Sequence, residues 1–358
     1  MESIHKQKRE EKIYLELLRI IAIYFVIFNH TNQRGYIYFT TLSNDKPILY
    51  YLTMCFSVFC TMSVPMFFMI SGITLLDKNE DIATLWKKRI LRMVGALIVF
   101  SLLHYFVQTG FNPGNMNIRA FAITLYSGSV IAPFWFLYYY IGFLIILPFL
   151  RSLAKNLEER EYRYLIALFI IVRCVIQPLQ YILSKGRFAL NGQLNYTLFT
   201  DTIVFYPLLG YYLEKHKTEK KQMAYLWAFS IIALMLSCFL TQYKLGLTGE
   251  IEEAVVSTFF TNYRIVFVVT LYYSCRCLTE HGEMPVNVRR LVMHFGSCVF
   301  GTYLIEQIVR EYGYGFYDDM CSFIHPFISV LLYVFGVMLI SFLIVTVLKK
   351  IPMVNRII

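Results

Sequence analysis

What most constrains this chain is a succession of helix-length apolar runs separated by short polar segments. Ten runs can be marked, at 13–32, 48–76, 93–109, 134–150, 164–183, 197–213, 223–241, 257–275, 292–310 and 326–348. Each approaches the ~20 residues a helix needs to cross the hydrocarbon of a bilayer. With 58% hydrophobic and 16% charged residues, the chain is too apolar for a soluble domain, which averages about 45–50% apolar residues on a set that counts glycine. The expected fold is all-α: a polytopic membrane bundle of about ten transmembrane helices, forming a single domain over residues 1–358. Pro65, Pro148, Pro178 and Pro207 fall inside four of the runs, where proline is expected to kink the backbone and neighbouring helices to re-satisfy the freed groups.

Outside the runs, most Lys and Arg fall in the N-terminal tail, in 77–92, 151–163, 214–222 and 276–291, and after residue 348. Alternate loops carry few. By the positive-inside rule this asymmetry places both termini in the cytoplasm, with residues 1–12 and 349–358 as tails. The net charge of +10 then belongs to cytoplasmic loops, and without a basic, aromatic-interleaved segment nucleic acid is set aside as a partner. The first run is preceded by a charged tail and lacks a small-residue cleavage site, so it reads as a retained anchor and not a signal peptide. The eight cysteines lie mostly in apolar runs, without a CxxC pair, and Cys275 and Cys277 have no histidine at zinc spacing; no metal is expected. Trp86, Phe134, Trp135, Tyr138 to Tyr140 and Trp227 gather near run ends, as interfacial aromatics do.

The first run carries Glu16, Arg19 and His30. An ionisable side chain in a spanning segment costs roughly 2.5–3.5 kcal/mol on insertion scales, so such residues face a bundle interior or a watery cavity. Arg19 and His30 share a helical face, separated by roughly 16 Å in depth at 1.5 Å per residue. His30 is the candidate general base, because imidazole takes and returns a proton near neutral pH. Glu306, in the ninth run at about the depth of His30, is placed either to accept the second imidazole N–H or to pair with Arg310 four residues on. Glu16 and Arg19 are spaced for an ion pair. Arg89 and Arg92, three apart beside Lys87 and Lys88, suit either a bidentate grip on a substrate phosphate or a lipid anchor. Arg173 and Arg264 are buried cations that either bridge structure or line a substrate path. His104 reads as an interface residue. The outer loops are short, so chemistry outside the membrane has to use the mouth of the bundle.

Several segments in order resemble one family. Tyr14-Leu15-Glu16-Leu17-Leu18-Arg19, followed by an aliphatic run to Asn29-His30, is similar to the opening motif of membrane acyltransferase family 3, with Glu16 where Asp is commoner. Val64 to Gly72, Lys88-Arg89-Ile90-Leu91-Arg92, Phe134 to Tyr138 with Pro148, Leu209 to Tyr212 and Gly301 to Ile305 add further matches across the chain. The resemblance implies transfer of an acyl group, usually acetyl, from cytoplasmic acyl-CoA to a hydroxyl on an extracytoplasmic glycan or other envelope acceptor, in the bacterial cytoplasmic membrane. It implies His30 as base or acyl relay and Arg19 as a residue orienting the donor. Lys88, Arg89, Arg92 and Ser71 would form the acyl-CoA-binding set. Where the family often has His after this Tyr-Leu-Ile, the chain has Glu306. Some members are thought to move solutes, so a transporter or export partner for a small polar solute or glycan is the alternative.

Overall fold

A computed structural model describes residues 12–42, 46–187, 191, 197–216, 220–250, 257–282 and 284–358. The reading of residues 1–12 as a tail lies outside them apart from Lys12. Among the described residues every regular element is helical. Ten helices correspond to the ten apolar runs: α1 (Ile13–Asn29), α2 (Pro47–Leu75, interrupted at Thr61 and Met62), α3 (Ile82–Gln108), α4 (Ala132–Asn156), α5 (Glu159–Ser184), α6 (Thr202–Lys215), α7 (Lys220–Thr248), α8 (Arg264–His281), α9 (Val286–Tyr312) and α10 (Pro326–Leu348). Seven are long and apolar enough to cross a membrane: α2, α3, α4, α5, α7, α9 and α10. The chain is a multi-pass membrane protein. The remaining three, α1, α6 and α8, fall short in length or hydropathy, so the span count of ten is an upper reading.

Several boundaries differ from the apolar runs. Helix α9 starts at Val286 and α7 reaches Thr248, because helices continue through charged residues once their side chains reach the polar zone. Helix α8 starts late: 257–263 form turns, and the helix begins at Arg264.

The short helix α1 is the axis of the bundle. It packs against α2, α8, α9 and α10, and Leu18, Ile23, Ile27 and Phe28 on it are fully buried. Lipid contact is left to the outer helices, which explains why a 17-residue helix with three ionisable side chains in or beside it is tolerated. Proline shapes its surroundings. A proline ring clashes with the carbonyl four residues earlier, and α2 breaks at Thr61, four residues before Pro65. The freed Cys60 carbonyl accepts from Asn29 Nδ2 at 3.2 Å, and Thr61 Oγ1 donates to the Phe260 carbonyl at 3.1 Å. Pro178 follows a widened turn at Ile170–Ile176 in α5, which absorbs the missing N–H. Pro148 and Pro207 sit in helices that continue through them.

The backbones of α2 and α6 approach closely at two glycines. A Cβ added at Gly72 would lie 2.0 Å from the Pro207 carbonyl oxygen, and one at Gly210 would lie 2.4 Å from that of Met69. Neither neighbour is a side chain that can swing away. Small residues at such crossings let helix backbones meet where lipid provides no hydrophobic drive. Gly72→Ala is therefore expected to separate α2 from α6 and to cut the yield of folded protein in detergent several-fold, read by size-exclusion chromatography. A monodisperse variant at wild-type yield would contradict this packing.

Candidate active site

The site begins with α1, whose two polar depths open on one side. Arg19 and Glu16 form an ion pair one turn into the helix, and His30 caps its far end. Helix α9 comes close at Gly296, where any Cβ would collide with the Glu16 carboxylate. This contact brings α9 alongside α1 and carries Glu306 toward His30.

His30 Nδ1 lies 2.8 Å from Glu306 Oε1, and Arg310 Nε donates to Glu306 Oε2 at 3.2 Å. Glu306 is fully buried, and the Arg310 side chain is 7% exposed. The two partners considered from the sequence are both engaged, one on each carboxylate oxygen. Arg310 is held in turn by Tyr314, and its carbonyl accepts from the Tyr333 hydroxyl. An ionised carboxylate only accepts, so the Nδ1 of His30 is assigned as the donor; in a neutral imidazole Nε2 then carries the lone pair. His30 lines a cavity, and among the described residues Nε2 has no hydrogen-bond partner. Beside it, Asn29 donates to Cys60 and Ser63 while its Oδ1 is buried without a partner.

That cavity has a volume of about 660 Å³ and runs between α1, α2, α3, α4 and α9, within the usual range for small-molecule sites. At one end stand His30, Asn29, Tyr36 and Trp135; at the other stand Lys78, Lys88, Arg89 and Arg92. Between them the wall is mainly apolar, with Phe67, Ile70, Leu144 and Phe300, and with Arg19 and Ser71 as polar stations. Ser71 Oγ donates to the Phe67 carbonyl at 2.8 Å and lies 3.2 Å from the Tyr140 hydroxyl. Of the residues singled out from the sequence, Arg19, His30, Ser71, Lys88, Arg89 and Arg92 line this one cavity; Glu306 stands behind His30.

The basic end differs from the simple fork expected of Arg89 and Arg92. A widened turn, Trp86–Ile90, presents Lys88 and Arg89. Arg89 uses its Nε and Nη2 on the Glu80 carboxylate at 2.9 and 3.2 Å, leaving Nη1 over. Glu80 also accepts from Arg151 Nη2 at 2.9 Å. Arg151 binds the Leu75 carbonyl at 3.0 Å and the Glu80 carbonyl at 3.2 Å, so one buried guanidinium fixes the whole turn between α2 and α3. Arg92 Nε donates to the Ile357 carbonyl at 3.1 Å. Hydrogen bonds from Arg89 first, then Arg151, hold the Glu80 carboxyl down to about 2.

A carboxyl lowered on folding contributes stability above its unfolded value and loses it as pH falls through its folded value. The difference in Tm between wild type and Glu80→Gln is therefore expected to be constant at neutral pH and to shrink from about pH 4.5 toward 2. A difference that stays flat over that window would exclude the clamp.

Other residues lie elsewhere. His104 is buried and not interfacial: its Nε2 lies 3.0 Å from the Leu304 carbonyl, and its ring stands edge-on to Phe134. The Leu304 carbonyl offers it a hydrogen bond that an interface position would leave to water. Phe134 is likewise buried, whereas Trp135 is part-exposed and lines the cavity. Arg173 and Arg264 are absent from the cavity lining. Asn29, Lys78, Glu80, Arg151 and Tyr140 were not singled out as site residues from the sequence. Glu80 is one of three acids, with Asp77 and Asp81, before the basic turn, and Arg151 one cation among many in its segment, so neither stood out. Among the described residues no group of three or more His, Cys, Asp or Glu side chains could share a metal ion.

The chain is thus a helical membrane bundle whose cavity is lined by a basic cluster and by His30 of a histidine–carboxylate pair. A family model described as an acyltransferase domain matches residues 12–346, nearly the whole chain, and the chain belongs to membrane acyltransferase family 3. Comparison with curated proteins and with solved structures gave no match.

Proposed function

We propose that this acyltransferase moves an acetyl group from acyl-CoA in the cytoplasm to a hydroxyl of an extracytoplasmic glycan or other envelope acceptor. The observation that carries this reading is the single cavity joining the Lys78, Lys88, Arg89 and Arg92 cluster to His30. Positive loops favour the cytoplasm, so the basic end is assigned there and the His30 end to the outer face.

In this reading Lys78, Lys88, Arg92 and the remaining edge of Arg89 hold the phosphates of the donor, and Glu80 with Arg151 keep Arg89 aimed. The apolar wall, with Ser71 and Arg19, takes the extended arm and sets the thioester near His30. Nε2 of His30 removes the proton of the acceptor hydroxyl as its oxygen bonds to the acyl carbon. The C–S bond breaks, and the imidazolium returns the proton to the CoA sulfur. Glu306 stabilises that imidazolium through Nδ1, as an orienting carboxylate does in related base pairs.

The test is purified protein given acetyl-CoA labelled in the acetyl group, with a panel of hydroxylated sugars. Donor-dependent labelling of a sugar, or slow donor hydrolysis without one, is expected. Solute counterflow with no donor turnover would assign the cavity to a carrier instead. Arg89→Ala combined with Arg92→Ala is expected to raise KM for acetyl-CoA at least tenfold with a smaller change in kcat; an unchanged KM would return that turn to a lipid-anchoring role.

A further inference from the structure

The eight cysteines lie mostly in apolar runs with no spacing motif, yet folding joins two of them. Cys55 on α2 and Cys238 on α7, 183 positions apart, bring their sulfurs to 3.4 Å across the contact between the two helices. Their depths agree. Cys55 is the ninth residue of α2, and Cys238 precedes the end of α7 by ten residues, which sets them roughly 12 and 15 Å from those helix ends. By the positive-inside assignment both ends face outward.

Both are free thiols, Cys55 part-exposed and Cys238 buried. Leu52, one turn before Cys55, and Phe239, beside Cys238 in the chain, are each 57% exposed, so an apolar reagent has access to the pair from the lipid side. Disulfide sulfurs stand about 2.05 Å apart, and a further approach of about 1.4 Å closes the bond. A metal is the poorer occupant, because among the described residues no third His, Cys, Asp or Glu completes a ligand set. What this half of α2 supports gives the bond its consequence. Phe56 and Phe59 stand edge-on to Phe25 of α1 at 6.3 and 5.8 Å between ring centroids, and Phe56 stands edge-on to Phe28 at 4.8 Å. The helix bearing Cys55 is thus a wall behind the end of α1 that presents His30.

We infer that Cys55 and Cys238 form a redox-active dithiol, a modification site that a small apolar disulfide oxidises to an intramolecular cross-link clamping α2 to α7. The Cys55 thiolate attacks the reagent disulfide, whose S–S bond breaks and releases one thiol. Cys238 then attacks the Cys55 sulfur of the mixed disulfide; the Cys55–Cys238 bond forms and the second reagent thiol leaves. Two protein thiols are oxidised, one reagent disulfide is reduced, and the two released thiols carry away both protons. A cross-link between positions so distant in the chain restricts the unfolded state and stabilises the folded one. The site stands on its own geometry, whatever group the cavity transfers.

Purified protein in detergent is treated with 2,2′-dithiodipyridine, its remaining thiols are alkylated with N-ethylmaleimide, and it is digested without reductant for mass spectrometry. The peptide holding Cys55 is expected joined to the peptide holding Cys238, and separated again by dithiothreitol. Oxidation is expected to raise Tm by roughly 3–6 °C in wild type. In Cys55→Ala, where the other cysteines still react, the rise is expected to be absent. Cys238→Ala is expected to keep the reagent as a stable adduct on Cys55, which checks the order of attack and does not depend on cross-linking. Recovery of both cysteines from wild type as separate adducts would overturn the dithiol, as would a link from either one to another cysteine or to a second chain. A Cys55–Cys238 link that leaves Tm unchanged would overturn the clamp.

Discussion

His30→Ala lowers kcat for acyl transfer by roughly 10²–10⁴, the contribution of a positioned general base, and leaves KM for the donor nearly unchanged. The expectation of an intact fold is specific. With the imidazole gone, Glu306 still has Arg310 on its other oxygen, so no buried charge is stranded, and the lost ring opens onto a cavity already present. A truncated base next to a cavity is also open to chemical rescue. Imidazole added to the variant is expected to restore part of the rate, saturably, while imidazole added to wild type does not raise it. A monodisperse His30→Ala protein with wild-type turnover would remove His30 from the chemistry and with it the direction assigned to the cavity.

The reason His30 could be singled out from the sequence at all is physical. Ionisable residues in apolar runs are expensive, so their presence in the first run marked a face, and helix geometry placed Arg19 and His30 on it together. Both line one cavity. The all-helical bundle was legible for the same reason, since only a few structures satisfy the backbone in lipid. What could not be read were the relations between helices. The Gly72 and Gly210 contacts decide how α2 meets α6, yet the matched segments that contain them do not say which helix each one meets. Arg151 resembles any other loop cation until its three guanidinium nitrogens are seen to close the turn around Glu80. Hydropathy reads the first run as a span; that α1 lies inside the bundle depends on four neighbours that no single run reveals. The choice between His30 and Arg310 as the partner of Glu306 was likewise open, because spacing along α9 favours Arg310 and only packing brings α1 within reach.

Glu306 separates structure from chemistry more sharply than any other position. Glu306→Ala leaves the Arg310 guanidinium, 7% exposed, without its counter-charge, and breaking a buried pair from one side costs ~3–5 kcal/mol. That variant is expected to lose stability and turnover together and so to say little about mechanism. Glu306→Gln keeps the volume and an acceptor oxygen but removes the negative charge that stabilises a protonated His30. Removing both charges, as Glu306→Gln with Arg310→Met, leaves no stranded ion, and replacing a buried ion pair by apolar groups is often neutral or stabilising. The double variant is expected to recover most of the Tm lost by Glu306→Ala while its kcat stays at least tenfold below wild type. Recovery of turnover along with Tm would mean that Glu306 acts only by holding the fold. A kcat deficit that persists in a protein of restored Tm assigns the carboxylate to the proton on His30.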